Sequence, residues 1–378
     1  MSAHQIVVIG SSFAGNLITA NLLKDIIPAT SGKTFKVIQI APTDEFYFKI
    51  GAPRTLINPQ SLPLEKSLVS VLPHFEKYGA EKYQFIKAFV KSIEPASKTL
   101  KLSTGEEVKY DSLIIASGTI FNNNLWSTAR GSEPLRAELA ELHKKLPEAK
   151  TIVIGGGGPA GIETAGELGD LYGSKKDITL YSGAKQLLNA LGNKNMGTDA
   201  ESRLVKQGIK VVHGIQITSQ RSEGGKDVIE LSNGETKTVD IYIGAVGDKP
   251  STDFVPTEWL NEKKFVKADG KTMRVEGAPG VYAYGSAASY SNGSIMDVFM
   301  AKKAFIETLK NDLAGKEPAS RTNNVYKKVQ SDMQFVPIGS TQGVGIAFGW
   351  KIPSFMVRMA KAKDFMIGQF PKYLEGTA

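Results

Sequence analysis

The chain contains no cysteine. That excludes a disulfide framework, a thiolate metal site and a redox-active dithiol. Histidine is scarce as well. His4, His74, His143 and His213 are scattered over 378 residues without metal-ligand spacing, so no metal site is expected and a histidine-based triad is disfavoured. No apolar run approaches the ~20 residues that would span a bilayer. The opening MSAHQIVVIG enters a strand almost at once, so no signal or transit peptide is expected. Ser2 also breaks the myristoylation pattern, which needs glycine there. Acidic residues are too few to balance the basic ones, and the net charge is +8. Nucleic acid is the generic partner of a basic chain. From Lys316 onward, however, nine Lys/Arg stand against four Asp/Glu. Charge gathered in a tail suits a membrane surface or an acidic partner equally well.

What is present is glycine in a particular register. Residues 151–168 read TIVIGGGGPAGIETAGEL, a strand running through a glycine cluster into a helix. Gly156, Gly158 and Gly161 fall in G-x-G-x-x-G spacing, with Pro159 and Ala160 between them. The first allows the tight turn, the second lets backbone approach a pyrophosphate, and the third lets helix pack close to strand. The helix N-terminus offers free N–H groups to phosphate. Glu163 sits in the first turn, where its charge is locally favoured. A glycine loop alone could bind nothing; strand before and helix after favour a dinucleotide. A second such turn opens the chain: strand His4–Gly10, then Ser11, Ser12, Phe13, Ala14 and Gly15, then helix to about Ile26. Ser12 replaces the middle glycine. After the next strand, Phe35–Ile40, an acidic residue normally binds ribose. Ala41 stands there, with Thr43 and Asp44 as substitutes.

The segment KLSTGEEVKYDSLIIASG (101–118) aligns without a gap on ELSNGETKTVDIYIGAVG (230–247). Leu102, Gly105, Asp111 and Gly118 match Leu231, Gly234, Asp240 and Gly247. The same hairpin and strand accompany each glycine turn, which reads as two related nucleotide-binding domains. Later, GVYAYGSAAS (280–289) is a strand ending in Gly285-Ser286, with a helix from about Met296. From Val325 come apolar strands and then a helix bearing Phe355, Met356, Met359, Ala362 and Met366 at helical spacing, with Arg358 and Lys361 off that stripe. Two readings stand: the stripe packs on the protein's own core, or it meets a membrane surface.

This ordered set of landmarks resembles the flavoproteins with two dinucleotide-binding domains. The stretches QGVGIAFGWKIPSFMVRMAKAKDF (342–365) and YFKIGAPRTL (47–56) narrow the resemblance to the apoptosis-inducing-factor-like, ferroptosis-suppressor-type NAD(P)H:quinone oxidoreductases. It implies an α/β fold with two Rossmann-like domains of glutathione-reductase type. The FAD domain would be discontinuous, residues 1–120 and 250–315, with an NAD(P)H domain, 121–249, inserted. A small C-terminal α+β segment, 316–378, would meet the acceptor or a membrane. Gly10, Ser12, Phe13, Ala14 and Gly15 would hold the FAD pyrophosphate, with Arg54 near the flavin and Val90 at the adenine. Ala116, Ser117 and Gly118 would close over the cofactor. Gly156, Gly158, Pro159, Ala160 and Gly161 would take NAD(P)H, with Gly247 at the equivalent of Gly118. Glu163 would face the nicotinamide side. The strand Asp177–Tyr181 ends at Ser182 where an acid would select NAD; with Lys185 nearby, either NAD or NADP would serve.

The family's late Gly-Asp is here Gly285-Ser286. With Ala41, two charged anchors for FAD are missing, worth roughly 3–6 kcal/mol at about 1.5–3 kcal/mol each. Tight flavin binding would survive that loss most readily if Asp44 or Asp297 compensated. The resemblance implies hydride transfer from NAD(P)H to FAD and then directly to a quinone or oxygen, with Phe348, Trp350 and the basic C-terminal helix forming the acceptor site. A cytoplasmic protein is expected, at the cytosolic face of a mitochondrial or lipid-droplet membrane. Two other readings remain open: a diverged relative serving a dedicated small molecule in a biosynthetic pathway, and a basic nucleic-acid-binding stress factor without activity.

Overall fold

The computed structural model describes residues 3–189, 194–247, 249–316 and 333–378. The strand His4–Ile9 is apolar on both faces, as befits a parallel strand covered on both sides. It lies at the centre of a five-stranded parallel sheet. Its neighbours are Phe35–Ala41 and then Tyr83–Lys87 on one side, and Ser112–Ile115 and then Val281–Ala283 on the other. The strand order therefore reverses at His4–Ile9, and the crevice beyond its carboxyl end is where such sheets bind ligands. A second, four-stranded parallel sheet runs Ile209–His213, Asp177–Ser182, Thr151–Gly155, Ile241–Gly244.

Each parallel sheet carries a three-stranded antiparallel meander, Val90–Lys109 in the first case and Ile217–Val239 in the second. The internal repeat seen in the sequence is thus real, down to its acid. Asp111 accepts the backbone N–H of Gln5 at 2.7 Å. Asp240 does the same for Lys150 and Thr151 at 2.9 and 3.0 Å. Gly118 and Gly247 both take positive φ, +71° and +82°. The two connections between the sheets run side by side, Thr119–Ile120 pairing antiparallel with Lys249–Pro250.

Of three C-terminal strands, Gln334–Ile338 and Gln342–Ala347 share an apolar cluster with the second sheet, and the largely exposed Trp350–Ile352 pairs on their edge. The helix Phe370–Glu375 instead joins the first sheet's cluster. There Phe370 and Tyr373 meet Phe46 and Phe13 edge-on, at ring separations of 4.7 and 4.9 Å. The helix foreseen over Phe355–Met366 is broken. It runs as an α-helical turn, Ser354–Val357, then a π-helical one, Arg358–Ala362, and Phe365 and Met366 are left-handed. Lys363 N–H reaches Arg358 O at 3.0 Å, the bond of the wide turn. Its buried side is Val357, Ala362 and Phe365, while Phe355, Met356 and Met359 are exposed. The foreseen stripe is therefore split: Ala362 packs on the core of this chain, Met366 is half-buried, and Phe355, Met356 and Met359 face outward. Val325 and the basic residues Arg321, Lys327 and Lys328 lie outside the described residues.

Candidate functional site

The first cleft opens at the reversal point of the five-stranded sheet. Its floor is the turn Gly10–Ala14, and the helix Phe13–Asn21 begins there with Ser12 as an N-cap that makes no side-chain capping bond. The first N–H groups of that helix are therefore not taken up by a cap, which suits an anion. Gly10 has φ +118°, and a Cβ there would lie 2.3 Å from Ala116 O, so only glycine lets the turn sit against the strand end. The turn is braced from behind. Gln39, fully buried in the adjacent strand, donates to Gly10 O and Asn16 Oδ1, both at 3.0 Å, and accepts from Tyr83 OH at 2.8 Å. Asn16 donates to Ser11 O at 2.8 Å.

The walls contain Val90, Ala116, Ser117, Gly118 and Ser286, as foreseen. They also contain Tyr47, Lys49 and Ile50, which sequence reasoning passed over although they stand in the quoted YFKIGAPRTL stretch. Ala41 lines the cleft, and no acidic side chain replaces it. Thr43 is turned to Ser132 Oγ, 3.2 Å away, and Asp44 accepts from Ser70 at 2.6 Å. Asp297 accepts Ser291 Oγ and Asn292 N–H, at 2.9 and 2.7 Å, so its carboxylate holds the loop before its own helix. None of the three lines the cleft. Compensation by Asp44 or Asp297 thus finds no support in the geometry, because both carboxylates are engaged elsewhere.

Arg54 departs further from expectation. It lies outside the cleft wall, in a buried bidentate pair with Glu167 at 2.9 and 2.8 Å. It also donates to Lys363 O and Ala362 O, at 2.8 and 2.9 Å, and its guanidinium stacks 4.7 Å from the Phe365 ring. A planar five-donor group fits these acceptors, so Arg54 fastens the C-terminal segment to the helix Pro159–Tyr172.

The second cleft lies over the four-stranded sheet and is lined by Gly156, Gly158, Pro159, Ser182, Gln186 and Gln216 among others. Gly156 has φ +128° and would collide with Ala245 O. Gly158 is different: a Cβ there would meet nothing within 4 Å. Its lack of a side chain serves no packing need and leaves backbone open to a ligand. Gly158 also starts its helix without a side-chain capping bond, and Pro159 follows where no N–H is required. Ser182, at the strand end, donates to Ala184 O at 3.3 Å, and no acid lines this cleft. Lys185, Ala160, Gly161 and Gly247 stand beside the lining rather than in it.

Glu163 is buried and lines neither cleft. Its carboxylate is 2.5 Å from Lys361 Nζ. Burial pushes the Glu163 carboxyl above its usual range, opposed by the Lys361 charge. Glu167 is shifted upward for the same reason, opposed by Arg54. One face of the nucleotide-turn helix thus carries two buried ion pairs to cations, one of them on the C-terminal segment. Phe348 and Trp350 stand apart on an exposed turn, 74% and 79% accessible. Among the described residues there is no cluster of His, Asp and Glu fit to hold a metal ion. No helix among them is long and apolar enough to cross a membrane.

Two uncapped glycine turns, each at the carboxyl end of its own parallel sheet, define an α/β protein that handles two nucleotides. The chain belongs to the pyridine nucleotide-disulphide oxidoreductase family, which matches residues 4–304. It is accordingly a flavin-dependent NAD(P)H oxidoreductase that uses FAD with NAD(P)H, as the open backbone at Gly158 and the uncapped turn at Ser12 allow. It is 30% identical to an oxidoreductase, phnG, of Penicillium herquei, over 97% of this chain and 94% of that protein. It is 25% identical to ferroptosis suppressor protein 1 of Xenopus tropicalis, over 97% and 94%. In fold it is similar to the sulfide:quinone oxidoreductase of Aquifex aeolicus, with a TM-score of 0.74 at 16% identity, covering 99% of this chain and 92% of that one.

Proposed function

We propose that the chain passes reducing equivalents from NAD(P)H through FAD directly to a quinone, at a membrane surface. Residues 1–120 with 250–315 hold FAD in the first cleft, residues 121–249 hold NAD(P)H in the second, and 316–378 form the acceptor side. The observation that carries this reading is the complete lack of cysteine. A thiol relay needs two sulfurs, so the acceptor has to come within reach of the flavin itself. Bound FAD supplies a two-electron step between nicotinamide and quinone. Overall, NAD(P)H, one proton and a quinone give NAD(P)+ and a quinol.

The protein's share is binding and alignment. The N–H groups of the two glycine turns hold the pyrophosphates, and the Gln39–Asn16 brace fixes the first turn from behind. The Glu163–Lys361 and Arg54–Glu167 pairs hold the nicotinamide helix against the C-terminal segment. That segment exposes Phe348, Trp350, Phe355, Met356 and Met359, with Lys351, Arg358 and Lys363 also outward. Apolar and basic side chains together suit an anionic lipid surface that dissolves a quinone. In the test, NADH added to the anaerobic protein bleaches the flavin, and a soluble quinone restores the colour. Flavin that is reduced by NADH yet left reduced by quinones would rule the proposal out.

One observation favours a second reading. Neither Ala41 nor Ser286 is replaced by another acid in the first cleft, which suits a relative given over to one dedicated small molecule. That reading expects almost no NADH consumption with quinones.

A further inference from the structure

Tyr47 ends the short strand Glu45–Tyr47 and enters the wall of the first cleft beside Lys49 and Ile50. It is 2% exposed, and its hydroxyl has no hydrogen-bond partner among the described residues. A buried hydroxyl left unpaired costs free energy that phenylalanine in the same place would not incur. Other buried tyrosines find acceptors: Tyr83 donates to Gln39, Tyr282 to Asp312, and Tyr284 to Val298 O. Tyr284 also lines the cleft, so position there does not by itself leave a phenol unpaired.

The location says which part of a ligand Tyr47 meets. A dinucleotide centred on Gly10–Ala14 lays its adenosine over the end of the neighbouring strand, at Ala41 and Val90. Its other half extends toward Ala116–Gly118 and Ser286. Tyr47 shares an apolar cluster with Leu125 and Trp126, and Trp126 itself donates to Gly244 O at the end of the second sheet. It therefore belongs to the side that faces the second nucleotide, where rings must approach for hydride transfer.

We propose that the Tyr47 hydroxyl donates a hydrogen bond to an acceptor atom, a carbonyl oxygen or ring nitrogen, on the flavin half of the dinucleotide in the first cleft. This rests on reading that cleft as the FAD site. Burial also pushes the Tyr47 phenol well above its usual range, so it stays a neutral donor and brings no negative charge against a reduced, electron-rich ring.

The test uses the full chain stripped of FAD, wild type and Tyr47→Phe, titrated with FAD and separately with ADP, and melted with and without FAD. The variant should lose about tenfold in FAD affinity, the size of one neutral hydrogen bond, and nothing in ADP affinity. Its melting temperature should match or exceed wild type without FAD and fall below it with FAD. A purely structural tyrosine would lower both. Unchanged FAD affinity in the variant, or an equal loss for ADP, overturns the inference while leaving the FAD site in place. Wild-type protein that takes up no FAD overturns the site assignment and the inference together.

Discussion

Arg54 and Glu167 face each other through two hydrogen bonds of 2.9 and 2.8 Å, with side chains only 2% and 3% exposed. At that depth the pair is fragile to the loss of either partner, because the survivor is left charged and unpaired. Arg54→Ala should cost about 3–5 kcal/mol in urea denaturation. Arg54→Leu combined with Glu167→Leu should recover most of that loss. A single variant as stable as wild type would show that the pair does not hold the C-terminal segment.

Gly158 is where the second cleft can be closed without touching the fold. Since a Cβ there meets no protein atom, Gly158→Ala should melt like wild type and keep its flavin. Its KM for NAD(P)H should rise at least tenfold, the equivalent of ~1.4 kcal/mol of lost binding. An unchanged KM would mean that the nucleotide phosphates do not approach this turn.

Ser286 lines the first cleft where a carboxylate is missing. Ser286→Asp should restore one charge-assisted hydrogen bond, about 1.5–3 kcal/mol, and tighten FAD binding roughly tenfold or more. Titration of the stripped protein by flavin fluorescence measures it. Weaker binding in the variant would place the ribityl chain elsewhere.

Asp240 supplies a pH dependence whose sign is fixed. Backbone N–H groups of Thr151 and then Lys150, with Lys226 behind them, hold its carboxyl well below the usual carboxylate range. A carboxyl whose folded pKa is depressed adds stability above its unfolded value, near 3.9, and loses it as pH falls further. Asp240→Asn should be the less stable protein at pH 7 and should converge with wild type on acidification below about pH 4. Parallel stability curves for the two proteins would contradict this.

The exposed apolar side chains make a fifth region testable. Replacing Phe355, Met356 and Met359, which are 62%, 44% and 73% exposed, with serine should abolish flotation with anionic liposomes. Turnover of a water-soluble quinone should stay within about twofold, since the reacting rings are untouched. Equal flotation of both proteins would remove the membrane from the account.

Much of this was legible in the sequence because backbone demands write themselves in glycine. Gly10 and Gly156 occupy φ values closed to other residues, so the turns, their strands and the repeat that accompanies them could all be read locally. The roles of Arg54 and Glu163 could not. Both depend on residues some 200–300 positions away, Ala362, Lys363 and Lys361, and no local pattern announces such a partner. The C-terminal stripe misled for a related reason. Helical spacing marked Phe355, Met359 and Ala362 as one face, but across the wide turn at Arg358–Ala362 the register shifts, and Ala362 is buried with Val357 and Phe365 while Phe355 and Met359 stay exposed. Tyr47 sat in a quoted motif and was still missed, since nothing in a sequence shows that a hydroxyl will be left without an acceptor.

The interleaving of the two sheets bears on how the chain is made. All strands of the second parallel sheet come from one stretch, Thr151 to Gly244, whereas the first awaits Val281–Ala283 beside Ser112–Ile115. During synthesis the inner unit has its whole sheet in hand while the outer one still shows a raw edge at Ser112–Ile115. Chaperone dependence should therefore concentrate on the outer unit, whose sheet stays open until Val281–Ala283 has emerged from the ribosome.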